Sequence, residues 1–332
     1  MAEPAFPSRR GGAAGWVSGV ARVMFALAVL GAGGALQAAE ATTPEGLLMQ
    51  MNRALASLDY QGSFVYEHDG RLDALRIFHA GAGRGRARLV SLSGPRSEVV
   101  RIGNSVTCLH GSAPSMLFRD EHDARLLPLL PNLSARAAQH YTVRAGGSDR
   151  VAGYHARIVE VVPRDEFLYG YRVWIEEGAH LPLRAAIIDA RQRALEQFMF
   201  VSLEIGAVPK EGDLAAGAEV GLLAAATEAP LRTTHWQVAD LPPGFVLVRT
   251  QQPVAGPQGA EHQIYTDGLA NVSVYVEPVT ADRTAPERVA TRGVINAWTH
   301  ARDGWQVTAL GDVPAATVER MARSARLLEP SR

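Results

Sequence analysis

From Tyr60 onward apolar and polar residues alternate with a period of two, again and again, which is the pattern of half-buried strands. Before that point the spacing is helical. In "TPEGLLMQMNRALASL" Thr43 is placed as N-cap and Pro44 at the first helical position, and Leu47, Leu48, Met51, Leu55 and Leu58 recur on one face. "YQGSFVYEHDGRLDALRIFHA" then predicts a hairpin turning at Asp69-Gly70. Further strands are expected in "RARLVSLSG", "EVVRIGNSVTCLH", "YTVRAGG", "YHARIVEVVP", "LYGYRVWIEE", "LPLRAAIID" and "ALEQFMFVSLEI", with a short helix in "LPNLSARAAQHY". Beyond Pro230 the pattern resumes in "THWQV", "GFVLVRT", "HQIYTDG" and "ANVSVYVEP". A hairpin follows at Asp303-Gly304, then a closing helix opened by Pro314 with Val318 and Met321 inward. The expected class is α+β, mainly antiparallel β: a large curved sheet with few helices, and a smaller α+β unit.

A length of 332 residues favours two domains with a core in each. Residues 206–230 are rich in Ala, Gly and Glu and lack aromatics, so they read as the linker between a first domain at 42–205 and a second at 231–332. Residues 1–41 read as an export signal: Arg9, Arg10 and Arg22 precede the apolar run "VMFALAVLGAGGAL", and small residues follow. The run is shorter than the roughly 20 residues of a spanning helix. Export from the cytoplasm is the expectation, with an uncleaved anchor as the alternative. Lys plus Arg number 33 against 34 Asp plus Glu, which removes the basic surface that nucleic-acid binding needs. Cys108 is the only cysteine, so no internal disulfide can form.

Candidate chemistry is sparse. Glu176, Glu177 and His180, with Asp189 and Glu196, form the densest group of carboxylates and histidine, but Gly178 and Pro182 make Glu177–His180 the bend of a hairpin. No HExxH, nucleophile elbow, phosphate-binding loop or paired-cysteine motif occurs, so no enzyme, metal or cofactor is expected. Two binding features stand out. Arg84, Arg86 and Arg88 in "GRGRARLV" are spaced two apart and, if extended, form a row able to grip anions or a partner; a charged edge strand is the alternative. Phe64, Tyr66, Tyr171 and Trp174 could line a cavity for an acyl chain, or be ordinary core.

The stretches "MNRALASLDYQGSFVYEHDG", "SGPRSEVVRIGN", "YGYRVWIEEGAHLPLRAAIIDARQRALEQF", "HWQVADLPPGF", "HQIYTDGLANVSVYVE" and "DGWQVTALGDVPAATV" resemble, in order and across both domains, the RseB/MucB family of regulators of the envelope-stress sigma factor. The resemblance implies a LolA/LolB-like open β-barrel with covering helices joined to a small C-terminal domain. It implies binding to the periplasmic part of an RseA/MucA-type anti-sigma factor, which it would shield from proteolysis. Lipopolysaccharide or another acyl-chain ligand would release that partner. It implies no catalytic residue and leaves a homo-oligomer open; a lipid or lipoprotein carrier is the alternative. One position departs from the family pattern: Gln192 stands where the hairpin after Asp189 commonly has glycine.

Overall fold

The computed structural model describes residues 43–81, 83, 85–103, 105–110, 113–118, 127, 129–215, 222–224, 234–252, 259–279 and 287–328. The proposed export signal, Arg84 and, within the 206–230 segment, residues 216–221 and 225–230 lie outside them. Helix α1 (Pro44–Ser57) opens the fold, with the Thr43 hydroxyl accepting from the Gly46 N–H at 3.0 Å. That cap satisfies one of the orphan donors of the first turn. Its Leu47, Leu48, Met51 and Ala54 are buried, each large side chain contributing about 1.5–3 kcal/mol.

Eleven strands follow: β1 (Tyr60–His68), β2 (Arg71–Ala80), β3 (Arg86–Ser91), β4 (Ser97–Ile102), β5 (Ser105–His110), β6 (Ala113–Phe118), β7 (Tyr141–Val151), β8 (Tyr154–Pro163), β9 (Gly170–Glu176), β10 (Pro182–Ile188) and β11 (Ala194–Ile205). After the short helix α2 (Glu211–Leu214), β12 (Leu222–Ala224) completes a twelve-stranded sheet in the order β12-β6-β5-β4-β3-β2-β1-β11-β10-β9-β8-β7. All neighbours are antiparallel except β12 and β6. The central pairing of β1 with β11 joins two meanders, so residues from opposite ends of the domain meet in the middle. The edges β12 and β7 do not pair, so the sheet is not closed into a barrel. It does curl, as a sheet this wide is expected to: the Tyr154 hydroxyl on β8 donates to the Leu203 carbonyl on β11 at 3.0 Å.

Beyond it lie β13 (Trp236–Val238), β14 (Val246–Gln251), β15 (Glu261–Thr266), β16 (Asn271–Pro278), β17 (Arg288–Arg292), β18 (Ile295–Arg302), β19 (Trp305–Gly311), α3 (Ala315–Arg323) and β20 (Ala325–Leu327). Six of these strands form a second sheet, β14-β15-β16-β19-β18-β17, while β13 and β20 make a separate ribbon. Helix α3 buries Thr317, Val318, Met321 and Ala322, with Pro314 at its N-cap.

The Asp69-Gly70 and Asp303-Gly304 turns form as expected, both residues of each at positive φ, the geometry whose twist matches the flanking strands. Strands β6, β12 and β20 were not expected, and three further elements differ from expectation. β7 continues past "YTVRAGG" to Val151 because a bulge between Ala145 and Gly147 absorbs the glycines. β17 is exposed at every position, an edge with no apolar face to betray it. In "LPNLSARAAQHY" only a 3-10 turn at Ala137–Gln139 forms.

Candidate functional site

Phe64, Tyr66 and Tyr171 lie on one face of the large sheet, through the register Tyr66↔Phe198, Phe198↔Ala185 and Ala185↔Val173. Phe64, Phe198 and Phe200 pack edge to face with centroids 5.4–6.1 Å apart, an arrangement worth about 0.5–1.5 kcal/mol per pair beyond burial. Phe64 is 1% exposed, so the molecule's own aromatics fill this face. Trp174 is not part of it. Three residues from Tyr171 on the same strand, it projects from the opposite side, because alternation puts odd separations on opposite faces. There its ring lies under the Arg184 guanidinium at 4.3 Å, and its N–H donates to Asp149 at 2.9 Å. Tyr171 also borders a cleft of about 210 Å³ with Glu160, Arg172, Asp189 and Gln192.

Arg86 and Arg88 do share a face of β3, and both are engaged internally. Arg86 pairs with Glu211. Arg88 donates twice to Glu98 Oε2, at 3.1 and 2.9 Å, and once to the Asp213 carbonyl at 3.3 Å. Arg96 grips the other oxygen of Glu98, at 3.0 and 2.9 Å. The row therefore clamps α2 to the sheet, with the buried Glu98 carboxylate satisfied from two sides. Arg101 projects from the other face, where its guanidinium donates to His79 Nε2 at 3.0 Å while His79 Nδ1 donates to the Leu58 carbonyl at 2.8 Å. Burial holds the His79 pKa below its ordinary value, and Arg101 adds to that effect, so the ring is a neutral acceptor stacked on Tyr60.

The bend at Glu176–His180 is a structural turn: the Glu176 carboxylate accepts from the Gly178 N–H at 2.9 Å and from the Ala179 N–H. Glu196, from the same stretch of sequence, has another role. On β11 it faces the second sheet, its Oε2 accepting from the Tyr66 hydroxyl at 2.6 Å and its Oε1 from the Val294 N–H at 3.1 Å. Burial raises the Tyr66 pKa, and the bond to Glu196 raises it further. Gly293 makes the approach possible, since a Cβ there would run into Glu196 Oε1.

Three more bonds tie the sheets together. Asn296 donates to the Tyr169 hydroxyl at 3.0 Å, Tyr141 donates to the buried Asp267 at 3.1 Å, and the Thr317 hydroxyl donates to the Phe167 carbonyl at 2.6 Å. These seam residues were not picked out by sequence reasoning. Their signal is buried polarity, invisible until strands more than a hundred residues apart are brought together.

An open, mainly antiparallel sheet, its aromatic face filled, keyed through buried hydrogen bonds to a smaller α+β unit, defines a two-sheet α+β protein. Among the described residues no group of His, Cys, Asp and Glu could hold a metal, and no helix is long and apolar enough to cross a membrane. Two family models match in tandem, the MucB/RseB N-terminal domain over residues 43–218 and the MucB/RseB C-terminal domain over residues 230–326, and the chain belongs to this family. It is 34% identical to the sigma factor AlgU regulatory protein MucB of Pseudomonas aeruginosa, over 90% of this chain and 96% of that protein. The Pseudomonas aeruginosa MucA/MucB complex superposes with a TM-score of 0.71 at 32% identity, over 86% of this chain and 99% of that one. A crystal structure of MucB gives 0.57 at 31% identity, over 86% and 98%.

Proposed function

We propose that this chain is a periplasmic negative regulator of sigma-E-type transcription. It binds the periplasmic segment of an RseA/MucA-type anti-sigma factor, excludes the protease that would cut that segment, and lets it go when a lipid or lipopolysaccharide signal binds. The observation that carries this reading is the match of both halves of the chain, in order, to MucB, a sigma factor regulator whose solved structures include a complex with MucA. Support for a switch comes from the superpositions: at nearly equal identity and coverage, the molecule fits MucB in the MucA complex better than it fits a further crystal structure of MucB. A ligand moves such an equilibrium only by its differential affinity for the two arrangements.

The filled aromatic face favours a regulator over a carrier. An acyl chain would have to displace the packing around Phe64, Tyr66 and Tyr171, which links lipid entry to rearrangement of the sheet. The 206–230 segment is the connection about which the two units, 42–205 and 231–332, would move. The test is capture of the anti-sigma periplasmic segment by the mature chain, repeated with lipopolysaccharide. Saturable capture that lipopolysaccharide reverses is expected, and no binding at micromolar concentration sinks the regulatory reading.

A further inference from the structure

A cleft of about 310 Å³ lies on the smaller unit, away from the seam, between the β13–β20 ribbon and the β18–β19 hairpin. Its walls are Trp236 and Trp305, with ring centroids 5.2 Å apart and planes at 63°, and Val307 and Ala325 add apolar surface. Two indoles meeting edge to face make a corner, which suits one bulky side chain; a sugar or base would need a flat ring face to stack on. Leu327, 53% exposed, extends the apolar surface outward.

The surrounding charge is unbalanced. Arg302 and Arg326 line the cleft against a single carboxylate, Asp303, which is paired with Arg302 at 3.1 Å. Arg326 has no carboxylate partner among the described residues. The ribbon beside it consists of β13 and β20 alone; the outer edge of β13 is taken up by Thr234 and Gln263, which donate to the Trp236 carbonyl, while the outer edge of β20 carries no further strand. A free edge of that kind is where an extended peptide adds its backbone hydrogen bonds.

We propose that this cleft is a peptide-binding site: an acidic stretch of chain runs along the ribbon, seats one large apolar side chain in the Trp236–Trp305 corner, and places its carboxylates against Arg302 and Arg326. The site goes beyond the regulatory reading and does not depend on which protein carries the stretch.

The probe is the capped peptide acetyl-Glu-Asp-Leu-Phe-Glu-Asp-amide, titrated into the mature chain labelled with 15N-tryptophan, with a Lys-for-acid version as control. The indole signals of Trp236 and Trp305 are expected to shift saturably while that of Trp174, on the large sheet, stays in place. Charge reversal by Arg302→Glu with Arg326→Glu, both exposed, is expected to weaken binding about fivefold to tenfold and to flatten its salt dependence. Trp305→Ala is expected to abolish it. Unmoved Trp236 and Trp305 signals, equal response to the Lys peptide, or full affinity in the charge-reversed variant would each overturn the proposal.

Discussion

Gln192 sits at φ +62°, in the left-handed region where an L side chain costs about 1–2 kcal/mol relative to glycine. Its Oε1 accepts from Arg172 at 3.3 Å, a long and exposed bond that offsets little of that strain. Gln192→Gly should therefore stabilise the chain by about 0.5 kcal/mol, the gain being limited by the greater freedom of glycine in the unfolded chain. Urea denaturation reads the sign; a loss would mean that the Arg172 contact outweighs the backbone strain. His79 gives a residue-scale prediction in pH. Its folded pKa lies below the unfolded value of about 6.5, so the neutral ring stabilises the fold fully above that pH, and the contribution is lost as pH falls through the folded pKa. Between pH 7 and pH 5 the wild type should lose more stability than His79→Gln. Parallel pH profiles of the two would contradict the assignment of a neutral acceptor beside Arg101.

At the scale of elements, the clamp on α2 depends on one buried carboxylate. Glu98→Ala leaves the Arg88 guanidinium, with only 15% of its side chain exposed, without its counter-charge, and should cost about 3 kcal/mol. Arg96→Ala removes a partner whose side chain is 65% exposed and should cost less than about 1 kcal/mol. Denaturant midpoints compare the two, and equal losses would refute the clamp. The same strand shows how far sequence pattern reaches. A spacing of two placed Arg86 and Arg88 on one face, because alternation is local. Their partners Glu211 and Glu98 lie 125 and 10 residues away, so whether the row was free or engaged depended on tertiary pairing. Turns with Asp-Gly were legible for the opposite reason, since their chemistry lies within two residues. Trp174, grouped with Tyr171 as a possible cavity residue, lies on the other face because three residues along a strand reverse the side. β17 was missed because an exposed edge needs no apolar alternation.

For the whole molecule, the seam between the sheets decides whether the two units act as one body. Gly293 and Gly304 give a matched pair of probes: both have positive φ, +59° and +79°, so alanine strains the backbone of either. Only at Gly293 does the new Cβ meet Glu196; at Gly304 nothing lies within 4 Å. Gly293→Ala must move the Glu196 carboxylate, which leaves the Val294 N–H and the Tyr66 hydroxyl without their acceptor, at about 1–3 kcal/mol for each group that stays buried. That cost falls on the docked arrangement alone, because in a separated one both groups reach water. Gly293→Ala should therefore widen the small-angle scattering envelope, while Gly304→Ala lowers stability without changing the envelope. If the docked arrangement is the one that holds the anti-sigma segment, its apparent affinity falls in proportion to the docked fraction, up to about tenfold for Gly293→Ala. An unchanged envelope in Gly293→Ala would mean that Tyr141–Asp267, Asn296–Tyr169 and Thr317–Phe167 suffice to hold the seam. A changed envelope with unchanged affinity would separate docking from partner binding.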